Sequence, residues 1–337
     1  MTRTAGYGRT KAPIESTSQG RPKNADSCRY IRVVDPSGNV SSGGQPRIDT
    51  SVAHSARVHD YWLGGKDNFA ADRAAGDAVM AAYPGIVASV RANRAFLARV
   101  VRFLAGEAGI TQFLDIGTGI PAASNTHEVA QAVAPAARVV YVDYDPVVLQ
   151  HARVLLTSSR PGTVDYVHAD LREPDKILGE ATRTLDLNRP VAVMLIAVMH
   201  LIVDADDPYA IVGQLKAAMA PGSYLALSQV ASDIETEQVA EARRRYNSLA
   251  RETQRHRTHA EVTRFFDGLT LIDPGVVPVP RWRPASDLEA RARSTMWGGL
   301  ARKPAEGNPA EGNAVEGNAA EGKPVEGNAA PDEIVSG

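Results

Sequence analysis

The stretch FLDIGTGIP, Phe113 to Pro121, ends an apolar run in two glycines separated by one residue. Such a pair after a strand lets the backbone pass close to a ligand, although alone it marks only a tight turn. The third glycine of a dinucleotide-binding turn is absent, because Gly117-Thr118-Gly119 runs on into Ile120, Pro121 and Ala122. Pro121 has no N–H to offer a phosphate. The best helix-start signal comes later, at Asn125 with Glu128 three residues on. A loop therefore separates the glycines from the helix. That suits a ligand lying across the loop better than a pyrophosphate seated on the helix dipole.

Two further acids fall at the ends of apolar runs. YVDYDP places Asp143 at the close of one run, where a carboxylate can accept hydrogen bonds from both ribose hydroxyls; Asp145, before Pro146, suits a helix N-cap. HADL places Asp170 at the next such end, within reach of an adenine amino group. Each acid alone is an ordinary turn or cap residue. Together with the glycines they describe a nucleoside cofactor without a pyrophosphate, and S-adenosylmethionine fits that description. His200, after the apolar run Pro190–Ala197, is the candidate general base, with a packed or capping histidine as the alternative. Upstream lies HDYWLGGKDNF. Gly64 and Gly65 would allow close approach of backbone, and Tyr61, Trp62 and Phe69 offer faces to a sulfonium. Lys66 could pair with a carboxylate. The alternative is a helix–turn–helix corner with a solvated lysine. No spaced set of Cys, His and carboxylates argues for a metal.

Strand and helix signals alternate around these residues. Strands are expected at Gln112–Ile116, Arg138–Val142, Val164–His168, Pro190–Ala197 and Tyr224–Gln229. Helices are expected at Asn125–Val133, Pro146–Leu156, Glu235–Leu249 and Ala260–Phe266, with a β-like end over 269–300. Strands separated by helices give βαβ units, hence a mostly parallel sheet with helices on both faces. Residues 47–110 are mostly helical and precede the first strand, so they should pack over its ligand end as a lid.

Composition bounds the rest. The chain has 337 residues and a formal net charge of -2. Residues 1–46 carry seven Lys and Arg against three acids, and 305–337 carry one Lys against seven acids. The neutral middle offers no electrostatic footprint for nucleic acid. From Ala305 a five-residue repeat, AEGNP to VEGNA, supplies nothing that could form a core. Residues 1–46 are expected as a disordered basic head and 304–337 as a disordered acidic tail. Cys28 is the single cysteine, which fits a reducing compartment. No apolar segment reaches membrane-helix length and none follows the opening MTRTAGYGRT. A cytoplasmic protein without a membrane partner is expected.

Several segments are similar to one known family: ARVHDYWLGGKDNFAADRAAGD, FLDIGTGIP with NTHEVAQ, VVYVDYDPVVLQHAR, HADLREP, PVAVMLIAVMHLIVDADDP and MWGGLARKP. Over residues 47–303 the chain resembles the class I S-adenosylmethionine-dependent methyltransferases. More narrowly, it resembles an actinobacterial S-adenosyl methyltransferase family carrying LGGKDN and LDIGTGIP. The resemblance implies a Rossmann-like α/β fold with a mostly parallel seven-stranded sheet over 111–303. It implies contacts from Asp115, Gly117 and Gly119 to the methionine portion, from Asp143 to ribose and from Asp170 to adenine. Ala197 and His200 would border the reactive methyl group. The segment holding Tyr61, Gly64, Gly65 and Lys66 would be a cofactor lid. The acceptor would be a small molecule presenting O, N or C. A non-catalytic S-adenosylmethionine-binding regulator, or an NAD-dependent oxidoreductase on the same sheet, are the alternatives.

Overall fold

The computed structural model describes residues 48–148, 150 and 163–305. The expectations for 1–46, for most of the helix at 146–156 and for nearly all of 304–337 lie outside them.

Five strands run parallel: β1 (Gln112–Ile116), β2 (Arg138–Asp143), β3 (Thr163–His168), β4 (Ala192–Ile196) and β5 (Tyr224–Val230). The central residues of β1, β2, β4 and β5 are mostly apolar and buried, as a sheet covered on both faces requires, whereas β3 at the edge is only partly buried. The order is β3-β2-β1-β4-β5, so the chain walks outward from β1 on one side and then returns to β4 on the other. The reversal lies between β1 and β4, and ligands of open α/β sheets bind outside the carboxyl ends at such a point. The last long strand, β8 (Met296–Arg302), pairs antiparallel with β5 from Val230↔Met296 to Tyr224↔Arg302. Two short strands, β6 (Thr270–Leu271) and β7 (Val277–Pro278), both pair with β8. Among the described residues the sheet thus has eight strands where seven were expected.

Alternation along the strands divides the core. Phe113, Val139, Tyr141 and Met194 pack with helix α3 (Ile86–Gly106) on one face. Leu114, Val140, Val193 and Leu225 pack with the helices Pro174–Ala181 and Pro208–Ala218 on the other. A third cluster stands apart from the sheet. It joins Val58 and Trp62 of α1 (Ser55–Leu63), Ala75 and Val79 of α2 (Ala70–Ala82), and Ala242 and Tyr246 of the helix Thr236–Leu249. These three helices form a cap that holds its own small core.

Candidate functional site

The loop after β1 turns back onto β2. Gly117 and Thr118 donate their N–H groups to the Val142 carbonyl at 2.8 and 3.3 Å, and Gly119 donates to Asp143 Oδ2 at 2.8 Å. Gly117 has φ +72°, and a Cβ there would fall 2.3 Å from Val198 Cγ2 at the end of β4. Only glycine lets the loop lie this close. Gly119 has φ +66° but faces open space. The helix α4 starts at Thr126, one residue beyond the expected cap. The Asn125 N–H donates to Glu128 Oε2 at 2.9 Å, and Asn125 Oδ1 accepts from the Ala122 N–H at 3.1 Å. In the first turn the His127 N–H donates to the Tyr141 hydroxyl at 2.8 Å, and Asn125 and Glu128 form a capping box, so the helix start is partnered by the protein and is not open to a phosphate.

A cleft of about 1180 Å³, its open mouth included, lies across this loop. Asp115, Gly117, Gly119, Asp143, Asp170, Ala197 and His200 all line it, so seven of the residues singled out in the sequence come together. Asp115 is buried, and burial raises its pKa to about 6 against a 2.6 Å hydrogen bond from Thr126 Oγ1 and the nearby Arg94 guanidinium. Burial also raises Asp143, against the N–H groups of Asp145 and Gly119. Asp170 is more open and is paired with Arg172 at 3.2 Å. Arg172 also binds Asp206 and the Leu201 carbonyl.

The end of β4 is held tightly. Ala197 sits at φ +57°, a left-handed conformation unusual for a residue with a Cβ. Its N–H donates to Ser228, backbone oxygen and Oγ both, and Ser228 Oγ donates to Asn93 Oδ1 at 2.7 Å. His200 follows on a single 3₁₀ turn, Met199–Leu201. Burial lowers its pKa to about 3, with His59 and Arg257 adding to the shift. Its Nδ1 is buried and has no hydrogen-bond partner among the described residues. Burial, with Arg94 nearby, likewise lowers His59 to about 4. Both imidazoles are neutral near pH 7.

The LGGKDN segment is placed differently. Tyr61, Gly64, Gly65 and Lys66 do not line the cleft. Gly64, at φ +84°, ends α1 in the left-handed conformation usual at a helix C-terminus. A Cβ on Gly65 would lie 1.9 Å from Asp60 Oδ1. The Asp60 carboxylate accepts from the Asp67 N–H at 3.0 Å and from Asn68 Nδ2 at 2.8 Å. The Tyr61 hydroxyl donates to Asp77 at 2.7 Å, and Lys66 is exposed. The two glycines belong to a turn folded around Asp60. The cap reaches the cleft through Ser55, His59 and Trp62 of α1, and α3 adds Asn93, Arg94 and Leu97. Of these only Trp62 was singled out in the sequence, as an aromatic face for a sulfonium. The spacing of 55, 59 and 62 along one helical face is the signal that could have found the first three.

A buried ionic group anchors α1 to β2. His54 Nδ1 lies 2.9 Å from Asp145 Oδ2, and His54 Nε2 lies 3.0 Å from Glu252 Oε1. Tyr144, which lines the cleft, donates its hydroxyl to Glu252 at 2.6 Å. Burial opposes a charge on His54, yet the two carboxylates outweigh it and raise its pKa to about 9. Asp145 also accepts the Val147 N–H at 2.8 Å, as its capping position suggested. Among the described residues no cluster of Cys, His, Asp and Glu is arranged to hold a metal, and no helix is long and apolar enough to cross a membrane.

Residues 41–304 match the profile of a family described as S-adenosyl methyltransferase. A crystal structure of a DUF574 family protein from Streptomyces avermitilis MA-4680 is similar at 47% identity and TM-score 0.74; the match covers 77% of this chain and 100% of that one. A candidate methyltransferase from Thermobifida fusca YX is similar at 42% identity and TM-score 0.71, over 76% of this chain and 97% of that one. No curated protein matches the chain.

Proposed function

The chain belongs to the S-adenosyl methyltransferase family, and from that premise we propose that its cleft binds S-adenosylmethionine across the glycine loop and passes the methyl group to a small-molecule acceptor at the end of β4. The protein is an S-adenosylmethionine-dependent enzyme of the class I fold. The assignment of the individual residues and of the acceptor is our own reading.

One observation carries it. Two buried carboxylates, Asp115 and Asp143, flank a glycine loop whose following helix has no open N-terminus, so the cleft suits a cationic nucleoside and not a pyrophosphate. Asp143, its oxygens free to accept beyond the Gly119 and Asp145 N–H groups, takes the ribose hydroxyls. Ala169, Asp170 and Leu171 border the adenine end. Asp115 and the glycine loop take the methionine end. Arg94 supplies the cation for its carboxylate, a part that Lys66 does not reach. Arg94 Nη2 holds the Ala123 and Ser124 carbonyls of the same loop, and its Nε is buried without a hydrogen-bond partner among the described residues.

S-adenosylmethionine supplies a methyl group already activated on a sulfonium, so the protein's main contribution is in-line placement of the acceptor. Ala197, fixed by Ser228 and Asn93, sets the wall on which the acceptor rests. His200 is neutral and can accept a hydrogen bond from the acceptor's O–H or N–H as the bond to carbon forms. The burial that keeps it neutral also makes a lasting imidazolium costly, so it orients the acceptor and hands the proton on. Carbon acceptors would need the wall alone.

Calorimetry with S-adenosylmethionine tests the reading. Binding in the micromolar to submillimolar range is expected, and Asp143→Ala should weaken it at least about tenfold, or about 1.4 kcal/mol. Absence of binding to the wild-type protein would remove the cofactor assignment. An unchanged affinity in the variant would remove Asp143 from the ribose.

A further inference from the structure

Beside the end of β4 lies a second cavity of about 570 Å³, its open mouth included. The two share His59, Trp62, Ala197, His200, Tyr246 and Gln254 as a common wall. The second cavity therefore adjoins the cleft at the end of β4. The remaining walls come from elements far apart in the chain: Val79 and Tyr83 of the α2 region, Val90 of α3, Val239 and Ala242 of the helix Thr236–Leu249, and Met296 of β8. All six are buried and apolar in their bulk.

Its polar side chains expose little surface to it. The Tyr83 hydroxyl interacts with Thr295 and Glu235 and the Tyr246 hydroxyl with Gln254, whereas His200 Nδ1 is buried and has no hydrogen-bond partner among the described residues. An unsatisfied buried polar atom is rare and costly, and His200 Nδ1 points to a ligand that completes it. No Asp or Glu lines the cavity, and its one formally charged side chain is the cation Arg243. An aliphatic amine arrives as an ammonium. Here it would find no carboxylate, a guanidinium in the wall and a sulfonium beside it. An aromatic hydroxyl or aromatic amine is uncharged at neutral pH, keeps its lone pair and matches the apolar walls.

We propose that this second cavity is the acceptor site, and that the acceptor is a ring-sized aromatic molecule presenting a hydroxyl or an aryl amine to His200. The proposal rests on the cofactor reading of the adjoining cleft. The apolar walls hold the rings, and His200 accepts the hydrogen of the nucleophile. The nucleophile's lone pair then forms the new bond to the methyl carbon as the carbon–sulfur bond breaks, and the released proton leaves through the neutral imidazoles.

Two probes of similar size test it on the protein saturated with S-adenosylhomocysteine: 2-naphthol, and the cationic 2-(aminomethyl)naphthalene. Equilibrium fluorescence titration is expected to show 2-naphthol binding at least about tenfold more tightly than the amine. Val239→Trp, or the milder Ala242→Leu, should fill the cavity and weaken 2-naphthol at least about tenfold while S-adenosylhomocysteine affinity stays within about twofold. Retained S-adenosylhomocysteine binding also shows that each variant is folded. If S-adenosylhomocysteine binds but 2-naphthol does not, or binds no better than the amine or equally well to folded variants, the acceptor proposal is overturned and the cofactor reading stands. If S-adenosylhomocysteine itself fails to bind the wild-type protein, it is the cofactor reading that falls.

Discussion

Gly117 and Gly119 look alike in the sequence and do different work in the structure. Both hold left-handed backbone, which costs a residue with a Cβ about 1–2 kcal/mol. Only Gly117 is also pressed against Val198, so overpacking adds about 1–3 kcal/mol there. Gly117→Ala should therefore lower the unfolding free energy by clearly more than Gly119→Ala, measured by urea denaturation. Equal losses would show that the loop can move off Val198. The same contrast applies to the cations. Lys66 is exposed on a turn and Arg94 is wrapped into the glycine loop. Arg94→Ala should weaken S-adenosylmethionine at least about fivefold, whereas Lys66→Ala should leave the affinity within about twofold. A loss of affinity in Lys66→Ala would return LGGKDN to the cofactor.

At the scale of elements, the strands were legible because a doubly covered parallel strand is an almost unbroken apolar run, and little else in a chain looks like Ala192–Ile196. The start of α4 was legible because a helix start is a local matter of Asn125 and Glu128. The turn at LGGKDN was not. Paired glycines serve a ligand's approach and a tight turn equally well, and the packing of Gly65 against Asp60 is set by the fold of the segment and not by its glycine spacing. Nor could the anchoring of α1 be read, since His54, Asp145 and Glu252 meet only through the fold. That anchor has a pH signature. His54 has its pKa raised from 6.5 to about 9, so its contribution is fully present below pH 6.5 and is lost as the pH rises through 9. Asp145 and Glu252 are held below their ordinary values of 3.8 and 4.5, despite burial, chiefly by His54. Their contribution is present above those values and is lost on acidification. The group stabilises most between about pH 4.5 and 6.5. Between pH 6 and 9 the wild-type protein should lose up to about 3 kcal/mol more stability than His54→Gln, as measured by denaturation at each pH. Parallel losses in the two proteins would show that His54 is not charged in the fold.

At the scale of the whole molecule, the cap and the sheet bury separate cores, and the cleft lies where they meet. The third cluster is smaller than either of the two that flank the sheet. Local stability follows the buried apolar contacts of each unit, so the cap should open at lower free energy than β1, β4 and β5. The bridge between Ala53 and Ala250 and the Arg251 N–H donated to the Ala53 carbonyl at 2.9 Å tie α1 to the helix Thr236–Leu249 within the cap, and the His54 group ties the cap to the end of β2. A ligand in the cleft touches both units, with Ser55, His59 and Trp62 on one side and Asp115, Gly119 and Asp143 on the other. It binds only when the cap is closed, so its binding free energy adds to the cap's opening free energy. At about one hundred times the dissociation constant that addition is about 2.7 kcal/mol, close to a hundredfold slowing of exchange. Amide hydrogen exchange with saturating S-adenosylhomocysteine should therefore slow α1, α2 and the helix Thr236–Leu249 by up to that factor. The central strands, which already exchange only through global unfolding, should slow no more than the global stabilisation allows. If the cap helices are as protected without ligand as the strands are, the two cores unfold as one and the cap is not an independent element of binding.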